Sequence, residues 1–97
     1  MNATIVHKKE MALTRKMFFE TLPRALDSDA YRVEGDCVTW DQGGRTLCVT
    51  FAEQATFKLG GFAIPRATVT LAFTGYSQAD AEVAVKRFDR YFHRGGG

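Results

Sequence analysis

Cysteine, proline and tryptophan are scarce in this 97-residue sequence, at two, two and one copies. No apolar run approaches the ~18 residues that a membrane span needs, so no membrane partner is expected. Two cysteines are too few for a disulfide scaffold, and two prolines with nine glycines exclude collagen-like and low-complexity chains. The first 25 residues carry Lys8, Lys9, Glu10, Arg15, Lys16, Glu20 and Arg24 without an uninterrupted apolar stretch, so no secretory signal is expected. A reducing, cytoplasmic setting follows. Catalytic fingerprints are missing as well: there is no G-x-S-x-G, P-loop, H-E-x-x-H, C-x-x-C or dinucleotide-binding glycine pattern. His7 and His93 are the only imidazoles, at opposite ends of the chain, and both are expected at the surface. No catalytic residue, metal or cofactor is assigned, and no enzyme is expected.

What is present suits one small domain. With 45% hydrophobic and 25% charged residues, a chain of this size buries roughly 60–65% of its unfolded surface. The expected domain covers residues 1–94, followed by a flexible glycine tail at 95–97. The net charge of +2 hides a partition. Residues 1–24 balance to +3, residues 25–57 to −4 and residues 58–97 to +3. Nucleic-acid binders concentrate positive charge on one surface, whereas mixed signs make a solubilising one.

Local patterns then order the elements. Thr4 to His7 is a β-branched first strand. Thr14 caps a helix, with Leu13 and Phe18 placed as a hydrophobic staple and Phe18, Leu22, Ala25 and Leu26 at helical spacing. Pro23 should kink or end that helix near Leu22, because it offers no N–H to the Phe19 carbonyl, and a second short turn can restart with Pro23 in its first position. Tyr31 and Val33 precede a Gly35-Asp36 turn, after which Val38 and Trp40 share one strand face and Cys37 and Thr39 the other. A turn in Asp41–Gly44 leads to Leu47, Val49 and Phe51, opposite Thr46, Cys48 and Thr50. Phe57 to Ile64 is broken by Gly60-Gly61 and reads as a bulged strand or a loop. A long strand of Ala67, Val69, Leu71 and Phe73 follows. Ser77, with Asp80 three residues on, starts the last helix, which gathers Ala81, Ala84, Val85, Phe88, Tyr91 and Phe92 on one side and ends at Gly95. The expected fold is α+β: a two-layer sandwich, order β-α-β-β-β-(β)-α, with a mainly antiparallel sheet of four to five strands and two helices on one face.

Three surfaces stand out. The cysteines are the first. A Gln42-Gly43 turn sets Cys37 directly opposite Cys48, and a Gly43-Gly44 turn makes them diagonal neighbours. A disulfide or metal half-site is conceivable in either register, but cross-strand disulfides are demanding and zinc needs four ligands, so two small packing thiols are expected. The second is a threonine-rich sheet face of Thr39, Thr46, Thr50, Thr68, Thr70 and Thr74, suited to solvent, a partner or a second copy of the chain. The third is the basic side of the last helix, with Lys86, Arg87, Arg90 and Arg94. Its aromatics point to the core, so base stacking is not expected there. The terminal Gly-Gly is shared with ubiquitin-like sulfur carriers, but in those it follows a strand rather than a helix.

The two ends of the chain resemble a group of small bacterial proteins without an established function. The shared patterns are an "LT-x-x-x-FF-x-x-LP" start, here Leu13-Thr14, Phe18-Phe19 and Leu22-Pro23, and an "F-D-x-x-F-x-RGGG" end, here Phe88-Asp89, Phe92 and Arg94 to Gly97. The resemblance implies no catalytic residue. The residues lead to a non-enzymatic binding or accessory module acting on another protein through Lys86, Arg87, Arg90 and Arg94. The alternatives are a small-ligand or enzymatic pocket near Tyr31, Trp40, Gly60 and Gly61, and nucleic-acid binding.

Overall fold

Strict alternation in the middle of the chain produces an open antiparallel sheet, and the two segments at helical spacing share a core with one of its faces. The computed structural model describes residues 4–96. Its elements are β1 (Thr4–Met11), α1 (Arg15–Leu26), β2 (Arg32–Glu34), β3 (Cys37–Asp41), β4 (Thr46–Leu59), β5 (Phe62–Thr74) and α2 (Gln78–Gly96). The strand order is β1-β5-β4-β3-β2, every neighbour antiparallel. The α+β class, the antiparallel sheet and the two helices are as expected.

Inward-facing Val38, Leu47, Val49, Phe51, Val69, Leu71 and Phe73 meet Phe18 and Leu22 of α1 and Val85, Phe88 and Phe92 of α2 in one core. The Phe18 ring lies 5.0 Å from Phe51 and 5.7 Å from Phe92, which ties both helices to β4. Both predicted caps form: Thr14 Oγ1 accepts from the Met17 N–H at 3.2 Å, and Ser77 Oγ from the Asp80 N–H at 3.1 Å.

Several expectations need correction. Of the kink or end expected near Leu22, the end is not found: helix α1 continues through Pro23 to Leu26. Ala25 and Leu26, beyond the proline, are buried, and that burial offsets the missing bond to Phe19. The helix closes at Asp27, which adopts φ 55°; its N–H reaches the Arg24 carbonyl and that of Ser28 the Pro23 carbonyl, a Schellman closure. Of the two readings of Gly60-Gly61 the loop holds and the bulge does not: the pair is the turn of the β4–β5 hairpin, with Leu59 paired to Phe62 and Gly60 at φ 60°. The bulge falls earlier, where the register slips between Gln54 and Phe57 opposite Pro65. Proline has no N–H for the ladder, so the slip sits where a donor is missing. Strand β1 extends past His7 to Met11, and His7 is half-buried on the helix side against Phe73 rather than on the surface. Helix α2 reaches Gly96, past the expected end at Gly95, and Gly97 lies outside the described residues.

Candidate functional site

The pairing of Thr46 with Thr74 brings the β3–β4 loop against the β5–α2 connection. The approach is close: a methyl group added at Gly75, whose φ is +81°, would lie 2.6 Å from the Gly44 carbonyl oxygen. Tyr76 follows, edge-on to Phe73 at 4.9 Å and accepting a hydrogen bond from Gln42 Nε2. The Arg45 guanidinium lies over the Tyr76 ring, 4.3 Å from its centroid, and pairs with Asp80 at 3.3 Å. These side chains wall an open cleft of about 200 Å³, lined by Trp40, Arg45, Tyr76, Asp80, Val83 and Arg87 and floored by Ala25 and Leu26.

Arg87 is the basic-face residue that enters this cleft. Its Nη2 donates to the Arg24 carbonyl at 3.0 Å, its guanidinium lies 5.1 Å from the Tyr91 ring centroid, and Asp27 Oδ1 is 3.7 Å away. A cation at the C-terminal carbonyls of α1 also meets the negative end of that helix. Its Nε is buried without a hydrogen-bond partner among the described residues. Lys86 and Arg90 are exposed on the same helix. The side chain of Arg94 lies outside the described residues.

Of the four residues expected around a pocket, only Trp40 lines the cleft. Tyr31 packs against the core without lining it, and burial followed by the Asp29 carboxylate pushes its phenol above the usual range. Gly60 and Gly61 are far away. Trp40 pairs with Leu47 near the start of β4, whereas the glycines follow its last residue, roughly 40 Å along the strand at ~3.3 Å per residue. The 49 × 22 × 21 Å dimensions reflect that long hairpin. Gln42, Arg45, Tyr76, Asp80 and Val83 were not anticipated in the cleft.

On the opposite face, the thiols take the diagonal register: Cys37 pairs with Thr50 and Cys48 with Thr39. Their Sγ atoms are 3.1 Å apart, both cysteines are free, and both are half-buried. Burial, then the hydrogen bond and charge of Cys37, push the Cys48 thiol up, while the Thr39 and Thr50 hydroxyls pull it down. Thr4, Val6 and Lys8 of β1 join Thr70, Ala72 and Thr74 of β5 and Thr46 and Thr50 of β4 on this face.

No family model, curated protein or solved structure matches the chain. Function therefore rests on the geometry. Among the described residues no three His, Cys, Asp or Glu side chains gather to hold a metal ion, and no helix is long and apolar enough to cross a membrane.

Proposed function

We propose that the chain is a non-enzymatic binding module that takes an acidic segment of a partner protein. The segment lies along Lys86 and Arg90 and anchors a side chain in the cleft beside Trp40. The observation that supports this is continuity between charge and apolar surface. Arg45 and Arg87 line the cleft, Val83 is 67% exposed at its edge, and Lys86 and Arg90 are exposed on the same helix. At ~100° per residue, Val83, Lys86, Arg87 and Arg90 fall within roughly a 100° arc of α2.

Magnitudes favour a peptide over the alternatives. A cleft of about 200 Å³ is smaller than the roughly 300–1,000 Å³ of small-molecule sites, but it suits one inserted side chain. The Arg45–Asp80 and Arg87–Asp27 pairs are well exposed, and such pairs contribute only ~0–1 kcal/mol. A partner carboxylate can therefore replace Asp80 or Asp27 with little net loss. Those two aspartates, with Glu82 and Asp89 on α2, also break up the positive field that a phosphate backbone would need.

Trp40, the one tryptophan, reports on the site. Titration with a peptide of alternating Glu and Leu should give a saturable change in its emission, weakening as salt rises. Lys86→Gln with Arg90→Gln should weaken binding about tenfold, the equivalent of ~1.4 kcal/mol from two screened charges. Equal binding of a Lys–Leu peptide, or no salt dependence, would defeat the reading.

A further inference from the structure

Two thiols in contact on an open sheet face are a chemical feature that the cleft does not use. Cys37 and Cys48 sit diagonally across β3 and β4 on the face opposite the helices, with Sγ atoms 3.1 Å apart. No element among the described residues covers that face, since both helices share the core with the other. A disulfide bond of ~2.05 Å requires the sulfurs to close by only about 1 Å, a distance within reach of side-chain rotation. A small oxidant can approach from solvent, because each cysteine is only half-buried.

We infer that Cys37 and Cys48 form a thiol–disulfide exchange site that closes reversibly to an intramolecular disulfide, with a low-molecular-weight disulfide as oxidant. Cys37 is the attacking thiol. It lies next to the Gly35-Asp36 turn, and only the three-residue β2 stands between its strand and the sheet edge. Cys48 lies in β4, between β3 and β5. Cys37 loses its proton to solvent water, from which the second small thiolate later takes one up. The Cys37 thiolate attacks one sulfur of the oxidant, forms a mixed disulfide and releases one small thiolate. Cys48 loses its proton to that thiolate and attacks the Cys37 sulfur, expelling the second small thiolate. Two protein thiols and one small disulfide become one protein disulfide and two small thiols. The protein is oxidised by two electrons and the small disulfide is reduced by two.

The test incubates the folded, reduced protein with oxidised glutathione under anaerobic conditions, followed by thiol titration, intact mass and far-UV circular dichroism. Titratable thiols should fall from two to none per chain, with the mass lower by two hydrogens, the chain monomeric and the dichroism unchanged. Dithiothreitol should restore both thiols. The Cys48→Ser variant should stop at a stable glutathione adduct on Cys37. Two persistent thiols, a stable adduct on the unsubstituted protein, disulfide-linked dimers or an oxidised chain that has lost its secondary structure would each overturn the inference.

Discussion

Replacing Phe18 with Ala should bring the protein close to its unfolding threshold. Phe18 is fully buried, with ring centroids of Phe19 and Phe51 both 5.0 Å away and that of Phe92 at 5.7 Å. It therefore joins α1 to β4 and α2. Burial of such a side chain contributes about 1.5–3 kcal/mol by transfer alone, and the cavity left behind raises the cost of truncation to about 3–5 kcal/mol. A domain of this size is stable by about 5–15 kcal/mol, so one substitution removes between a fifth and the whole of the total. The melting temperature should drop by roughly 15–35 °C. Urea unfolding followed by Trp40 fluorescence gives the loss directly, and Phe18→Leu, at about 1–2 kcal/mol, serves if the alanine variant does not fold. Phe62→Ala is the control. At 76% exposure beside the hairpin turn, Phe62 should change stability by no more than about 0.5 kcal/mol. Equal losses at the two positions, or a loss below about 1.5 kcal/mol at Phe18, would refute this account of the core.

The loop contact beneath the cleft makes a second stability test. Gly75→Ala combines a φ of +81° with a methyl group 2.6 Å from a backbone oxygen and should lower stability by about 2–3 kcal/mol in thermal melts. Gly44→Ala, whose methyl would meet nothing within 4 Å among the described residues, should cost about 1 kcal/mol or less. A pH series follows from Cys48. Its folded thiol is raised above the ordinary 9.0, so the folded state holds its proton more tightly than the unfolded state. The associated stability is fully present below about pH 9 and fades as pH climbs from there toward the raised value. Reduced protein should lose melting temperature over that range faster than Cys48→Ser; parallel curves would contradict it.

Much of the fold could be read from local chemistry because its signals reinforce one another. Thr14 and Ser77 sit just before apolar residues at helical spacing, and both act as caps. Alternation through Val38, Val49, Phe51, Val69 and Phe73 assigned the inner face, and all five are buried. The errors arose where long-range packing outweighed a local preference. Pro23 disfavours helix, but the burial of Ala25 and Leu26 carries α1 past it. Gly60-Gly61 fits a loop or a bulged strand equally well until the β4–β5 pairing is known, because the irregularity that the pattern hinted at belongs to Pro65. The cysteine register was legible only as two alternatives, and the Gln42–Arg45 loop, closed by the Gln42 N–H on the Arg45 carbonyl, selects the diagonal one.

The site was less legible for a related reason. Helical spacing places Arg87 on the outer side of α2 with Lys86 and Arg90, and spacing alone treats the three as equivalent. What distinguishes Arg87 is the C-terminus of α1, which stops at Asp27 and turns the Arg24 carbonyl toward it. Likewise Arg45 and Tyr76 are distant in sequence, and nothing local to either announces the other. Their contact depends on the Thr46–Thr74 pair and on the missing side chain at Gly75, which lets the two loops close. The cleft is thus a product of strand register, as the thiol pair on the other face is. A one-residue slip of β4 against β3 would move Leu47 out of the core and break the contact between the thiols, so the hydrophobic pattern that holds the core in register also aligns both sites.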